Sequence, residues 1–348
     1  MEITTKDWGK TPNGWEVKLF TITNSHGNSV SVTNYGATLV SVIVPDNKGD
    51  KGDTVLGFSN LEGYLSDTCY IGSTVGRYAN RIGNAQFVIE GETYHVSANV
   101  APHTLHGGEV GFNQKVWAYE IIDKGVTFKL ISPDGDQGYP GTVNVEVSYT
   151  WNDDNALDIS FRGKTDKPTQ MNLTNHAYFN LKGDDSIIHD TILKIHSNYY
   201  LPMKEGSIVS GEFRPVEGTP FDFTEGKPIG RDINEKDDQL ELAAGYDHTF
   251  VLKRQNDKVL ALAAEAYEPT TGRVLEVYTT YPSVHLYASN FLESTTNGKN
   301  GKPYKKREAF CLEAQYMPNT PNQTDFPDST LYPSQEYIQL TRFKFLTK

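Results

Sequence analysis

The chain has 348 residues, 37% of them hydrophobic and 22% charged, the profile of a soluble globular protein long enough for a sizeable core. A formal net charge of −12, with no Lys/Arg block to offset it, argues against nucleic-acid partners and phosphate-rich surfaces. The two cysteines, Cys69 and Cys311, are too few and too far apart for a disulfide framework or a zinc site. The first eight residues lack the apolar core of a signal peptide, and no run reaches membrane-spanning length. No membrane association is expected, and the expected compartment is the cytoplasm.

In chain order, 29–33 and 39–45 are β-branched and alternating, with Asn34-Tyr35-Gly36 turning between them. Residues 61–65 suit a single helical turn. Residues 72–83 fit neither period and place Arg77, Asn80 and Arg81 among glycines. A hairpin is expected over 85–96, turning at Glu90-Gly91, and the clearest one runs over 143–151, turns at 152–155 and returns over 157–161. Between Ser197 and Lys236 the strands shorten, punctuated by Pro202, Pro215, Pro220 and Pro228. Residues 245–252 open another strand. The alanine-rich run 260–266 reads as helical by composition, and 274–280, 284–288 and 310–315 return to β, before a proline-rich loop to about Pro333. With no βαβ alternation, long amphipathic helix or fixed-period repeat, the expected fold is all-β: one domain, a large antiparallel β-sandwich with few short helices.

If 173–181 is extended, Thr174, His176, Tyr178 and Asn180 share one face, while Leu173, Ala177, Phe179 and Leu181 share the other with Asn175. An imidazole, a phenol and an amide side by side suggest the wall of a polar cleft. His106 precedes Gly107-Gly108, where glycine permits close approach to a ligand or merely a tight turn. His95 and His285, on strands among aromatics, read as core or cleft-lining; His26, His189 and His196 read as ordinary. Glu313 lies between Leu312 and Ala314. It is either a carboxylate perturbed by burial or half of a buried ion pair with Arg77 or Arg81. Asp247 can serve as a turn residue or bind hydroxyls.

No metal-ligand spacing, calcium loop or phosphate-cradling loop is present, so no metal or cofactor is expected; Asp134-Gly135-Asp136-Gln137-Gly138 reads as a turn. A His and a Glu facing one another across a polar cleft can move two protons on one small substrate. A single such carboxylate disfavours ordinary glycoside hydrolysis.

These residues resemble the aldose 1-epimerase (galactose mutarotase) family over most of the chain. The resemblance is carried by Asn34-Tyr35-Gly36-Ala37, by Gly76-Arg77-Tyr78-Ala79-Asn80-Arg81-Ile82 and by Leu105-His106-Gly107-Gly108. It continues in Asp136-Gln137-Gly138-Tyr139-Pro140-Gly141, in 174–181, in Tyr246-Asp247-His248 and in Cys311-Leu312-Glu313-Ala314-Gln315. It implies the galactose mutarotase-like supersandwich, with residues 1–348 as a single domain.

It further implies an isomerase acting on a small-molecule aldohexose such as galactose or glucose, as a monomer or homodimer and without cofactor or metal. His176 would be the general acid on the ring oxygen and Glu313 the general base on the anomeric hydroxyl. Asn80 and Arg81 would bind sugar hydroxyls, with Arg77 as the alternative to Arg81, and His106 and Asp247 would complete the clamp. Tyr281 stands where some members carry a substrate-contacting Gln, so an aromatic is expected to stack on the sugar or narrow the cleft. The competing reading is a carbohydrate-binding module or sugar-sensing regulator on the same fold, which would not need the His176–Glu313 pair.

Overall fold

Every second side chain of Val143–Trp151 is buried, so one face of this strand rests on the core. It pairs antiparallel with Gly125–Ser132 on one side and Ala156–Thr165 on the other. The computed structural model describes residues 1–184, 186–253 and 259–348. Among them the large sheet has nine strands. In spatial order these are Ala118–Ile122, Gly125–Ser132, Val143–Trp151, Ala156–Thr165, Tyr337–Thr347, Arg273–Thr279, Ala261–Tyr267, Ile192–Ile195 and Lys227–Pro228.

A five-stranded meander formed by Glu2–Lys10, Glu16–Thr23, Ser29–Thr33, Thr38–Pro45 and Lys51–Asp53 makes a second sheet. A third runs in the order Arg214–Pro215, Ser197–Leu201, Asp247–Leu252, Ser283–Tyr287 and Cys311–Gln315. All three contribute to one apolar cluster: Val147 and Phe343 from the large sheet, Phe20 and Val42 from the meander, Phe250 and Leu286 from the third. Each such side chain, fully buried, stabilises the fold by about 1.5–3 kcal/mol.

The predicted hairpins form with the expected turns, at 85–96 as Gln86–Ile89 with Glu92–His95 and at 143–161. Two expectations are corrected, and two elements appear that the sequence did not signal. The run 260–266 is a strand, Ala261–Tyr267, wedged between Ile192–Ile195 and Arg273–Thr279, where its alanines are the side chains small enough for a crowded interior. Asp238–Ala243 is a helix the sequence reading passed over; the Asp237 carboxylate caps it by accepting from the Gln239 and Leu240 N–H groups at 2.9 and 3.2 Å. The last strand, Tyr337–Thr347, was also unread. Finally, 173–181 is not one strand: its pairing is broken between Thr174–Asn175 and an isolated bridge of Phe179 to Val55 and Phe310, and the whole stretch is buried. Among the described residues no helix is long and apolar enough to cross a membrane.

Candidate active site

The third sheet has two unlike faces, because its strands pair in a register that stacks alternate residues into rows. Thr249 lies opposite His285 and His285 opposite Glu313; Asp247 lies opposite Tyr287 and Tyr287 opposite Cys311. The intervening residues, including Phe250, Leu286 and Leu312, point into the core. The polar rows form the floor of a cavity of about 230 Å³. That is below the roughly 300–1,000 Å³ of pockets for drug-sized ligands and suits a small polar molecule.

The opposite wall comes from Asn80, Arg81, His106 and the Thr68–Tyr70 loop. Asn80 and His106 hold each other: the Asn80 N–H donates to His106 Nδ1 at 3.1 Å, and the His106 N–H donates to the Asn80 carbonyl at 3.0 Å. Tyr70, Asn80 and His106 have φ of 59°, 63° and 52°, the left-handed region that side chains other than Gly and Asn seldom occupy. The glycines after His106 serve packing: a Cβ on Gly107 would stand 2.1 Å from the Gly76 carbonyl oxygen.

His176 enters from the third side. Its own N–H donates to the Ser73 carbonyl, and the Thr174 hydroxyl donates to the Ala314 carbonyl at 2.8 Å, tying this segment to the strand that carries Glu313. The ring stacks between Tyr178 at 5.0 Å and Tyr70 at 6.1 Å, both at 21°. Its Nε2 lies 3.6 Å from Glu313 Oε1, with both side chains almost wholly buried. Glu313 Oε2 and Arg81 Nη1 are buried and have no protein partner. Two such atoms at one cavity are the kind a ligand's hydroxyls would satisfy.

The Asp247 carboxylate accepts from His285 Nε2 at 2.7 Å, and His285 Nδ1 meets the Thr249 hydroxyl at 2.8 Å. Burial pushes Asp247 up, but the His285 hydrogen bond and charge outweigh it and hold the carboxyl below its ordinary value. Burial pulls His285 down, and the bond to Asp247, its charge and that of Glu313 raise it overall. His106 is driven well below the ordinary imidazole range by burial, then by His176, Arg81 and His285. It is therefore neutral. With Nδ1 accepting from Asn80, its Nε2 carries the proton and acts as a donor.

His106, His176 and Glu313 bring three potential donor atoms within 4.8 Å. The one lone pair His106 offers is already taken by the Asn80 N–H, so the set fits a hydrogen-bonding cluster better than a metal centre.

His176, Glu313, Asn80, Arg81, His106, Asp247 and His285 thus converge. Two expected participants do not. Tyr281 is fully buried in the core, its hydroxyl at 2.5 Å from both the Leu173 carbonyl and the Tyr337 hydroxyl, so it neither stacks on a ligand nor narrows the cavity. Arg77 is a scaffold: its guanidinium donates to the Ser132, Pro133, Pro140 and Gly141 carbonyls, and burial lowers it to about 10. The proposed Glu313 pairing with either arginine gives way to the His176 contact.

Thr174 and Asn180 do not line the cavity, because their side chains bond backbone carbonyls; Asn180 donates to those of Ser186 and Glu308. His95 is exposed at the end of its strand. Sequence reasoning missed Tyr70, Tyr287, the His285–Asp247 bond and Met203, which Gln239 of the unread helix holds by both backbone groups. Only His285, on an aromatic strand, left a sequence signal.

A family model described as aldose 1-epimerase matches residues 18–344. The chain is 43% identical to human galactose mutarotase over 317 residues, covering 91% of this chain and 90% of that one. It is 37% identical to the aldose 1-epimerase of Escherichia coli K12 over 342 residues, 97% of each. Among solved structures, galactose 1-epimerase from Lactobacillus acidophilus superposes with a TM-score of 0.87 at 29% identity, covering 99% of both chains. The aldose epimerase homologue from C. elegans does so with 0.86 at 33%, covering 94% of this chain and 98% of that one. The antiparallel sandwich is therefore of the galactose mutarotase-like type, and the chain belongs to the aldose 1-epimerase family.

Proposed function

We propose that this protein interconverts the α and β anomers of an aldohexose such as galactose or glucose by opening and reclosing the pyranose ring. The observation that carries the reading is the 3.6 Å approach of His176 Nε2 to Glu313 Oε1 at one end of a small polar cavity. Ring opening removes a proton from the anomeric hydroxyl and delivers one to the ring oxygen. Both oxygens are bonded to C1, so an acid and a base standing this close together can each reach its oxygen on one sugar.

Glu313 takes the O1 proton, the O1 electrons form the carbonyl, the C1–ring-oxygen bond breaks, and that oxygen takes the proton from His176 Nε2. Rotation about C1–C2 turns the other face of the aldehyde toward the C5 hydroxyl. Closure then returns both protons, Nε2 taking one from C5–OH and Glu313 giving one to the new anomeric oxygen. The open atoms of Arg81 and the Nε2–H of His106 are suited to bind hydroxyls and steady negative charge on the oxygens. Asp247, oriented by His285, is suited to accept from a further hydroxyl.

Polarimetry on freshly dissolved α-D-galactose and α-D-glucose tests this. Faster relaxation to the unchanged final rotation is expected, abolished by Glu313→Gln. Relaxation at the spontaneous rate, with sugar binding seen by calorimetry, would replace catalysis with sugar sensing.

A further inference from the structure

The stack of Tyr70 and Tyr178 on His176 fixes the plane of the imidazole but not which way round it lies. A half-turn about Cβ–Cγ keeps the plane and both ring contacts while exchanging each nitrogen for a carbon. Two polar contacts settle the choice. Nε2 faces Glu313, and Nδ1 lies 3.5 Å from the thiol sulfur of Cys311. Cys311 and Glu313 stand two residues apart on the same face of one strand, so that strand addresses both nitrogens of the ring. During ring opening Glu313 is engaged with the sugar's hydroxyl. The Cys311 contact is the one that persists.

We propose that Cys311 is the positioning residue of His176: its sulfur accepts the Nδ1–H throughout the cycle and keeps Nε2 as the nitrogen that gives and takes the proton. This rests on the reading of His176 as the group that protonates the ring oxygen. When Nε2 loses its proton to that oxygen, the remaining ring proton stays on Nδ1 and the Nε2 lone pair recovers a proton from the C5 hydroxyl. The thiol keeps its own hydrogen, since burial pushes it well above its ordinary range. A thiol is a weak acceptor. A carboxylate in its place would favour the cationic ring and oppose the proton's departure; an apolar residue would leave the half-turn undecided.

Long-range ¹H–¹⁵N spectra of galactose-saturated wild-type protein test the assignment directly. Nδ1 of His176 is expected to keep its proton through the titration of the ring while Nε2 loses its own; loss from Nδ1 would overturn the proposal, whether or not any variant folds. In kinetics, Cys311→Ala is expected to lower kcat about three- to tenfold, the worth of one hydrogen bond, with KM little changed. Cys311→Ser, whose hydroxyl can accept the same proton, should recover part of that loss. An unchanged kcat in the alanine variant, a loss appearing only in KM, or a serine variant no better than alanine would each assign Cys311 to packing. If folded His176→Asn turned over normally, the catalytic reading itself would fall. An active wild type with inactive His176→Asn and indifferent Cys311→Ala would sink the Cys311 role alone.

Discussion

Two histidines on the third sheet show how much a face decides. His248 and His285 sit on neighbouring strands of that sheet but point to opposite sides. His248 faces the core, its ring against Phe221 and Tyr200, and burial drives it down to about 3. Its Nδ1 accepts the Asp247 N–H, a structural service. His285 is buried as deeply but faces Asp247 and Glu313, and is raised instead. Burial is common to both; the difference is what the face supplies. A strand's two-residue period puts packing and chemistry on one stretch of chain without either diluting the other.

Substitutions can break the contrast. The largest effect is expected on the cavity face: Glu313→Gln and His176→Asn should each lower kcat by roughly 10²–10⁴. Thermal melts should show the fold intact, and a parallel loss of folding would mean the two faces are not separable. On the core face, Leu312→Ala should cost about 2–5 kcal/mol in denaturant unfolding while the folded fraction keeps its specific activity.

Asp247→Asn sharpens the contrast between the histidines. With the carboxylate charge removed and only a neutral amide oxygen left to accept from Nε2, burial is opposed chiefly by Glu313, and His285 should titrate lower by NMR than in the wild type, in the direction of His248. The sign with pH follows. Asp247, lowered on folding, contributes stability above ~4 that is lost as pH falls through its folded value; His285, raised on folding, contributes below ~6.5 and loses it as pH rises. The deficit in melting temperature of the Asn variant should therefore be greatest between about pH 4 and 6.5. Tyr281→Phe should have the smallest effect: about 1 kcal/mol of stability, for a lost core hydrogen bond, and no change in the galactose-to-glucose rate ratio. A changed ratio would return Tyr281 to the cavity.

The sandwich and the meeting of His176 with Glu313 in one cavity were legible because alternation is a local signal and these residues sit in compact motifs. What was lost lay in longer-range context. The final strand hid because its first half inverts the usual pattern: Gln339 and Thr341 are buried in the sheet, while Ile338 faces solvent. The Ala261–Tyr267 run has helical composition, and only its two neighbouring strands make it extended. The expectation for Tyr281 rests on its position in the resemblance to the family, whereas its hydroxyl is claimed by Leu173 and Tyr337, more than fifty residues away on either side. Cys311 looked like a mere apolar neighbour of Glu313. Nothing in the sequence brings it to His176.

The left-handed backbone at Tyr70, Asn80 and His106 also limits how this cavity can diversify. β-branched residues are strongly disfavoured at such angles, and Asn and Gly tolerated, so substitution to Thr, Val or Ile at those three positions is closed by conformation before any sugar is tested. The strand positions of the floor carry no such restriction. In a mutational library aimed at new sugars, variants that both fold and change preference should therefore concentrate at Tyr287 and Asp247, and the opposite wall should stay nearly fixed.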